Sequence, residues 1–399
     1  MKRYIALICV LATLVTGCAA RPSYPVDDAY HMETDDQYSL HAQGTFKNLA
    51  EGKEGYYFAL TLKGNHFLFY TDKKTLQTLP VCGKPNCLHY QETDEERRKL
   101  CNAFFTGDSF YPTVLYNEGR LLIPVSKGTS GMGLESFSND GSERKEILSP
   151  GGISNSLFMT AHRGYLYYVR SEYTEEMESS SCLYRRSLHQ VNAKEELLFA
   201  SPDAQTGDGL YNILGYGNNL YFSAMMTVEK RFYRLDLDSM EVSQIFDLPL
   251  EVTDAGYNLI PFQGGLVCQI NHGIPGADMS HLPATRYRSD LQGEKVEKWQ
   301  ENTMNAFTAD DRYLYEWLMP GLEDPEEGGY LRILDGEGKV VARCSLLEEV
   351  PDYMYLLVPQ GGHVFIACKG NGKLYYFPKS EIETGQIHPK LLIDCTQYQ

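Results

Sequence analysis

The chain has 399 residues, 43% of them hydrophobic, with 53 acidic against 36 basic side chains and a formal charge of −17 at pH 7. That is enough apolar material for a sizeable core, and the acidic excess excludes the basic footprint that nucleic acid or an anionic membrane surface requires of a protein body.

Residues 1–18, MKRYIALICVLATLVTGC, place Lys2 and Arg3 before an apolar run from Tyr4 to Val15 and a small-residue exit. This predicts a secretory signal, too short to span a bilayer stably. The ending Val15-Thr16-Gly17-Cys18 resembles a bacterial lipobox. That resemblance implies that Cys18 carries lipid on its sulfur and becomes the mature N-terminus, with Cys9 discarded. Two or three acyl chains hold a protein at a membrane surface without a spanning helix, so the expected address is the extracytoplasmic face of the cell membrane. Loss of residues 1–17 removes Lys2 and Arg3 and no acid, which leaves the body more acidic still. Residues 19–42 turn to Pro, Asp, Tyr, Ser and His without a sustained period and read as a flexible tether, leaving 43–399 as one domain.

The domain is repetitive. In the stretch from Gly217 to Phe246, NLYFSAM is an apolar run of strand length, RFYRLDL alternates, and EVSQIF follows a turn at Asp238-Ser239-Met240; LYNILGYG precedes them as a fourth strand. Runs matching its second strand recur as GYYFALTL from Gly55, GRLLIPVS from Gly119, GYLYYVRS from Gly164, NNLYFSAM from Asn218, GGLVCQIN from Gly264, DRYLYEWL from Asp311 and GHVFIACK from Gly362. Four antiparallel strands per repeat of roughly 50 residues predict an all-β fold, a β-propeller of seven four-stranded blades. Six or eight are the alternatives, because the first strand of the first unit, near Phe46 to Ala50, has the weakest pattern. The 29 tyrosines and 17 phenylalanines suit the wedge-shaped gaps between blades.

Residues 79–105, LPVCGKPNCLHYQETDEERRKLCNAFF, are an insertion the repeat does not account for, and they gather Cys82, Cys87, His89 and Cys101. Their C-x-K-P-x-C-x-H segment followed by C-N-A, just after the first blade, is similar to that of a largely uncharacterised group of lipid-anchored, propeller-like lipoproteins of Firmicutes. The resemblance implies a propeller fold and a lipid-anchored location, and implies no activity. Chemically, three thiolates and an imidazole can supply a closed tetrahedral structural zinc site. A disulfide within the trio suits an extracytoplasmic address but leaves an odd thiol. Unpaired packing thiols are the third reading. In each case a loop that carries a charged helical run, ETDEERRKL, is expected to be pinned at its ends. Cys182, Cys268, Cys344 and Cys368 lie in apolar strands and read as small buried hydrophobes.

In a propeller of this strand order, the connections between blades and those from second to third strand open on one face. The stretches 171–181, 271–285 and 320–328 are expected to elaborate that face, and the cysteine insertion is expected to join them there. Candidate ligand contacts are Tyr111, Tyr211, Tyr257 and Tyr353, with Phe158 and Phe307, at the starts of first strands, together with His272 and His281. Packing between blades is the plainer account of these rings. The acidic runs at Glu172, Glu175, Glu176 and Glu178, and at Glu323, Asp324, Glu326 and Glu327, suit a cation, a basic peptide or simple solvation. The sequence holds no G-x-S-x-G elbow, H-E-x-x-H motif, Walker loop or dinucleotide fingerprint. Two readings therefore stand: a cell-surface binding or scaffolding module for a glycan, peptide or protein partner, and an extracytoplasmic carbohydrate-active hydrolase or lyase whose funnel carboxylates no local motif reveals.

Overall fold

Residues 55–62, GYYFALTL, show why the strands form as they do: all but Thr61 are buried, so both sides of the strand are covered. A sheet covered on both sides needs a neighbour on each, and a ring of sheets provides that. The computed structural model describes residues 35, 48–62, 64–106, 112–126, 131–153, 158–173, 179–190, 193–201, 209–225, 230–246, 254–272, 284–303, 306–318, 330–346, 355–368 and 372–398. They form seven antiparallel sheets, taken strictly in chain order and arranged as the blades of a seven-bladed β-propeller.

Blade 1 comprises β1 (Leu49–Glu51), β2 (Gly55–Leu62), β3 (Asn65–Asp72) and β4 (Thr78–Pro80). The second strands of blades 2 to 7 are Arg120–Ser126, Tyr165–Tyr173, Asn219–Met225, Gly265–His272, Leu314–Leu318 and His363–Cys368. These are the runs the repeat predicts, so the count is seven and not six or eight. Several hairpins between first and second strands are closed by two left-handed residues, as at Glu118-Gly119 (φ 46° and 81°) and Gln263-Gly264 (51° and 73°). Such two-residue turns share the twist of the strands they join. Ahead of blade 1, the Asp35 carboxylate accepts the Arg163 N–H of blade 3 at 3.1 Å.

Each gap between blades has its own apolar filling. Tyr57 and Leu68 meet Leu121 and Phe137 between blades 1 and 2, and Tyr167 and Leu183 meet Phe222 and Tyr233 between blades 3 and 4. Tyr315 and Trp317 meet Ile366 and Phe377 between blades 6 and 7. The gap between blades 5 and 6 departs from this pattern. Above an apolar floor that includes Ile260, Val267 and Leu314 lies a buried ion pair between Arg286 and Glu316, side chains 0% and 1% exposed. Arg286 Nε also donates to Gln269 Oε1 at 2.8 Å, and Arg332 Nη2 reaches Glu316 Oε2 at 2.7 Å.

Among the described residues the ring closes without a shared strand, blades 1 and 7 each being built from consecutive strands. Their seam is closed by side chains. Leu49, Tyr56 and Phe58 pack with Val358 and Phe365, Gln360 Nε2 donates to Glu51 Oε2 at 2.6 Å, and Tyr56 Oη shares a hydrogen bond of 3.0 Å with His363 Nδ1. Burial holds His363 below its ordinary value, with Lys379 and Lys73 adding to this against Glu51. A histidine with a depressed folded pKa gains its proton first in the unfolded chain. Its contribution is therefore complete above the ordinary histidine value of about 6.5 and is lost as the pH falls below it. The thermal midpoint is expected to drop between about pH 7.5 and 5.5, and His363→Gln should shrink that drop. Circular dichroism melts showing the same pH dependence in both chains would contradict this.

A candidate metal centre on the outer edge of blade 1

The outer strand of blade 1 is interrupted in its middle. β4 runs along β3 with Thr78 opposite Thr71 and Pro80 opposite Phe69, and Val81 N then donates to Leu68 O at 2.9 Å. The same edge is resumed by β5 (Phe104–Phe105), with Phe104 opposite Phe67, after Leu68 N donates to Ala103 O at 2.9 Å. Residues 82–102 are therefore an excursion that leaves and returns at one rung. This corrects the expectation that the insertion joins the loops of the elaborated face. It stands on the rim, because the chain goes back to pair with β3 before crossing to blade 2.

The path of the excursion brings its ligand-type residues together. Asn86 (φ 61°) and His89 (φ 53°) take left-handed backbone conformations, turning the chain sharply between Cys82 and a single 3₁₀ turn at His89–Gln91. A short helix, α1 (Glu95–Lys99), occupies part of the expected helical run; its N-cap Asp94 accepts from Arg97 N at 2.9 Å. The Lys84 ammonium donates to the Leu100 carbonyl, closing the loop base ahead of Cys101.

The ligand atoms of Cys82, Cys87, His89 and Cys101 all lie within 4.8 Å of one another, and His89 Nδ1 stands 3.5 Å from Cys101 Sγ. Zinc bonds of about 2.3 Å to sulfur and 2.0–2.1 Å to nitrogen, at tetrahedral angles, imply a sulfur–nitrogen edge of about 3.6 Å. No disulfide joins Cys82, Cys87 and Cys101, of which Cys101 is buried while Cys82 and Cys87 are half-buried. Burial raises the Cys82 thiol, but hydrogen bonds from the Lys84 and Asn102 N–H groups and from the neighbouring thiols outweigh it and hold Cys82 below its ordinary value. Cys101 is pushed up to about 12, first by burial and further by Cys82 and Cys87. Burial also lowers His89, which keeps its imidazole neutral and able to donate a lone pair. Cys82 therefore ionises more easily than an ordinary thiol, whereas the Cys101 thiolate needs a cation beside it, which a metal supplies.

Neighbouring blades hold both sides of the excursion. From blade 2, Arg144 Nη2 donates to the carbonyls of Asn102 at 2.7 Å and Phe104 at 2.5 Å. Gly141 of the same blade has φ +69°, and a Cβ there would lie 2.7 Å from Val81 O. Toward blade 7, the Tyr90 ring stands 5.6 Å from that of Phe69 and packs on the cluster that includes Cys395.

The other predicted site residues have separate partners where the structure describes them. Tyr211 is half-buried, edge-on to Phe158 at 4.9 Å, and Phe307 is buried with the Arg286 guanidinium 4.6 Å from its ring centroid. His272 Nε2 is 2.8 Å from Thr285 Oγ1. Tyr257 pairs through its backbone with Ile270, and its side chain lies outside the described residues, as do Tyr111, Tyr353 and His281 entirely. Of the loop expected at 171–181, residues 171–173 and 179–181 are strand, since Tyr165–Tyr173 pairs with Ser179–Ser187, and 174–178 lie outside the described residues. Cys182, Cys268 and Cys344 are buried, as expected, and the Cys368 side chain lies outside the described residues. The expectation did not cover the Arg286–Glu316 pair, or Asp310, whose carboxylate accepts from the N–H groups of Arg312 and Tyr313 and from Tyr315 Oη at 2.7–2.9 Å and pairs with Lys379 at 2.5 Å.

No protein-family model matches the chain, and no curated protein sequence does. Among solved structures, one from a study of two prolyl endopeptidases is similar at a TM-score of 0.55 and 10% identity, over 89% of this chain and 51% of that one. A puromycin hydrolase is similar at 0.54 and 12% identity, over 92% of this chain and 56% of that one. The chain thus spans about half the length of either protein, and at such identities the likeness is one of fold.

Proposed function

We propose that this chain is a cell-surface lipoprotein, held at the extracytoplasmic face of the membrane by lipid on Cys18, whose propeller is a binding or scaffolding module for a glycan, peptide or protein partner. One observation supports this reading: the two buried carboxylates among the described residues serve the scaffold. Glu316 is engaged by Arg286 and Arg332, and Asp310 by Lys379 and Tyr315. A glycoside hydrolase needs two carboxyl groups opposed across an open site, whereas these two are buried between strands, so recognition falls to the connections on one face of a rigid ring. The activities of the two similar hydrolases belong to proteins about twice as long and are not carried over. A glycan and peptide array probed with the chain from residue 19 onward should give saturable binding to one ligand class. Turnover of a polysaccharide by the same sample would replace this reading with the hydrolase or lyase.

The Cys82, Cys87, His89 and Cys101 group is read as a structural zinc site, since three thiolates and one imidazole match zinc in softness and number. Purified chain is expected to contain about one zinc, retained in reductant and lost to a chelator. A non-reduced digest that yields a disulfide-linked peptide from this segment, with no zinc in the sample, would overturn the assignment.

A further inference from the structure

We infer that the metal held by Cys82, Cys87, His89 and Cys101 is the clasp of the ring, fixing the excursion in the shape that ties blade 1 to blade 7. The inference rests on the zinc reading above and extends it from a local staple to closure of the fold.

Every other pair of neighbouring blades is joined by the chain itself, which keeps the two sheets close whenever their packing opens. Among the described residues, blades 7 and 1 have no such link and share no strand, and side chains make the contacts described across their seam. The excursion lies along that seam. Cys82, Cys87 and Tyr90 pack on a cluster that combines Phe58, Phe67 and Phe69 of blade 1 with Phe365, Leu374 and Cys395 of the blade 7 end. Tyr90 is the bridge. Its ring meets Phe69, it packs on the cluster that contains Phe365 and Cys395, and it directly follows the ligand His89.

The excursion cannot hold this shape by burial. None of residues 82–100 is buried, and Leu88 and Leu100 are 54% and 68% exposed. A segment without a core of its own is ordered only if something else meets the entropy of fixing it, and a four-ligand metal does so at four points along the chain. Cys101 in turn is anchored to blade 2 through the carbonyls that Arg144 grips. The metal thus connects a fixed end at blade 2 with a bridging ring at blade 7.

Hydrogen–deuterium exchange on the zinc-loaded full chain, with and without a chelator, tests this. Chelation should speed exchange in Lys390–Asp394 and in β3 by about tenfold or more, a local opening made easier by about 1.4 kcal/mol. Exchange in Asn219–Met225 of blade 4 should stay unchanged. Tyr90→Ala keeps all four ligands and should retain zinc while losing protection at the seam. If zinc is lost and only residues 82–101 exchange faster, or if the Tyr90→Ala chain keeps wild-type exchange in Lys390–Asp394, the clasp is wrong and the zinc site stands. A chain that never takes up zinc, and whose seam ignores added zinc, overturns both.

Discussion

Glu316→Gln is expected to destabilise the propeller by about 3–5 kcal/mol, the scale of breaking a buried ion pair from one side. The substitution preserves shape and removes only charge, and what remains is costly. Arg286 is fully enclosed, stacked against Phe307 and hydrogen-bonded to Gln269 and Gln300 at 2.8 and 3.1 Å. Burial holds its pKa below the ordinary value, opposed by Glu316, yet a guanidinium still does not surrender its proton. A neutral amide in place of the carboxylate would leave Arg286 and Arg332 facing each other without a counter-charge. Glu301→Gln provides the comparison, since the Lys298–Glu301 pair is 54% and 59% exposed and its loss should leave the urea midpoint nearly unchanged. Replacing the pair together, Arg286→Met with Glu316→Leu, should recover much of the loss, because apolar residues of similar volume require no partner. Urea midpoints that place Glu316→Gln beside Glu301→Gln would show that the pair does not hold blades 5 and 6 together.

The blades were legible because their second strands are apolar on both faces, a pattern that a ring of mutually covering sheets requires and a half-exposed sheet does not. The same property hid the ion pair. In RYRSDL from Arg286, arginine alternates with tyrosine as if one face met water, but in this ring the face of Arg286 meets blade 6. The signal that could have revealed it is a relation between repeats, with opposite charges at Arg286 and Glu316 in the central strands of neighbouring blades.

For the metal centre, the sequence specified the donors and not their position. Cys82, Cys87, His89 and Cys101 are the right chemistry, and the sharp turns at Asn86 and His89 are what bring them together. The placement on the rim was not legible, because it depends on β4 and β5, three and two residues long. Periodicity carries no information over so few positions. Pairing with one rung of β3 alone reveals that they are halves of one strand.

Cys18→Ser is expected to abolish incorporation of labelled fatty acid and to leave the chain either as an unprocessed precursor or in the medium. The proposed anchor has to be lipid of more than one chain, because a single acyl chain gives only marginal, reversible attachment and two signals are needed for a stable one. No helix among the described residues is long and apolar enough to cross a membrane, and the acidic body repels anionic headgroups rather than binding them. Serine at this position keeps the size of the residue and removes the sulfur proposed to accept the lipid, so the effect should be all-or-none on labelling and absent from the fold. The melting profile of the soluble body should be unchanged, since Cys18 lies ahead of the ring. Labelling that persists in Cys18→Ser would remove the anchor from this cysteine and, with it, the ground for placing the propeller at the cell surface.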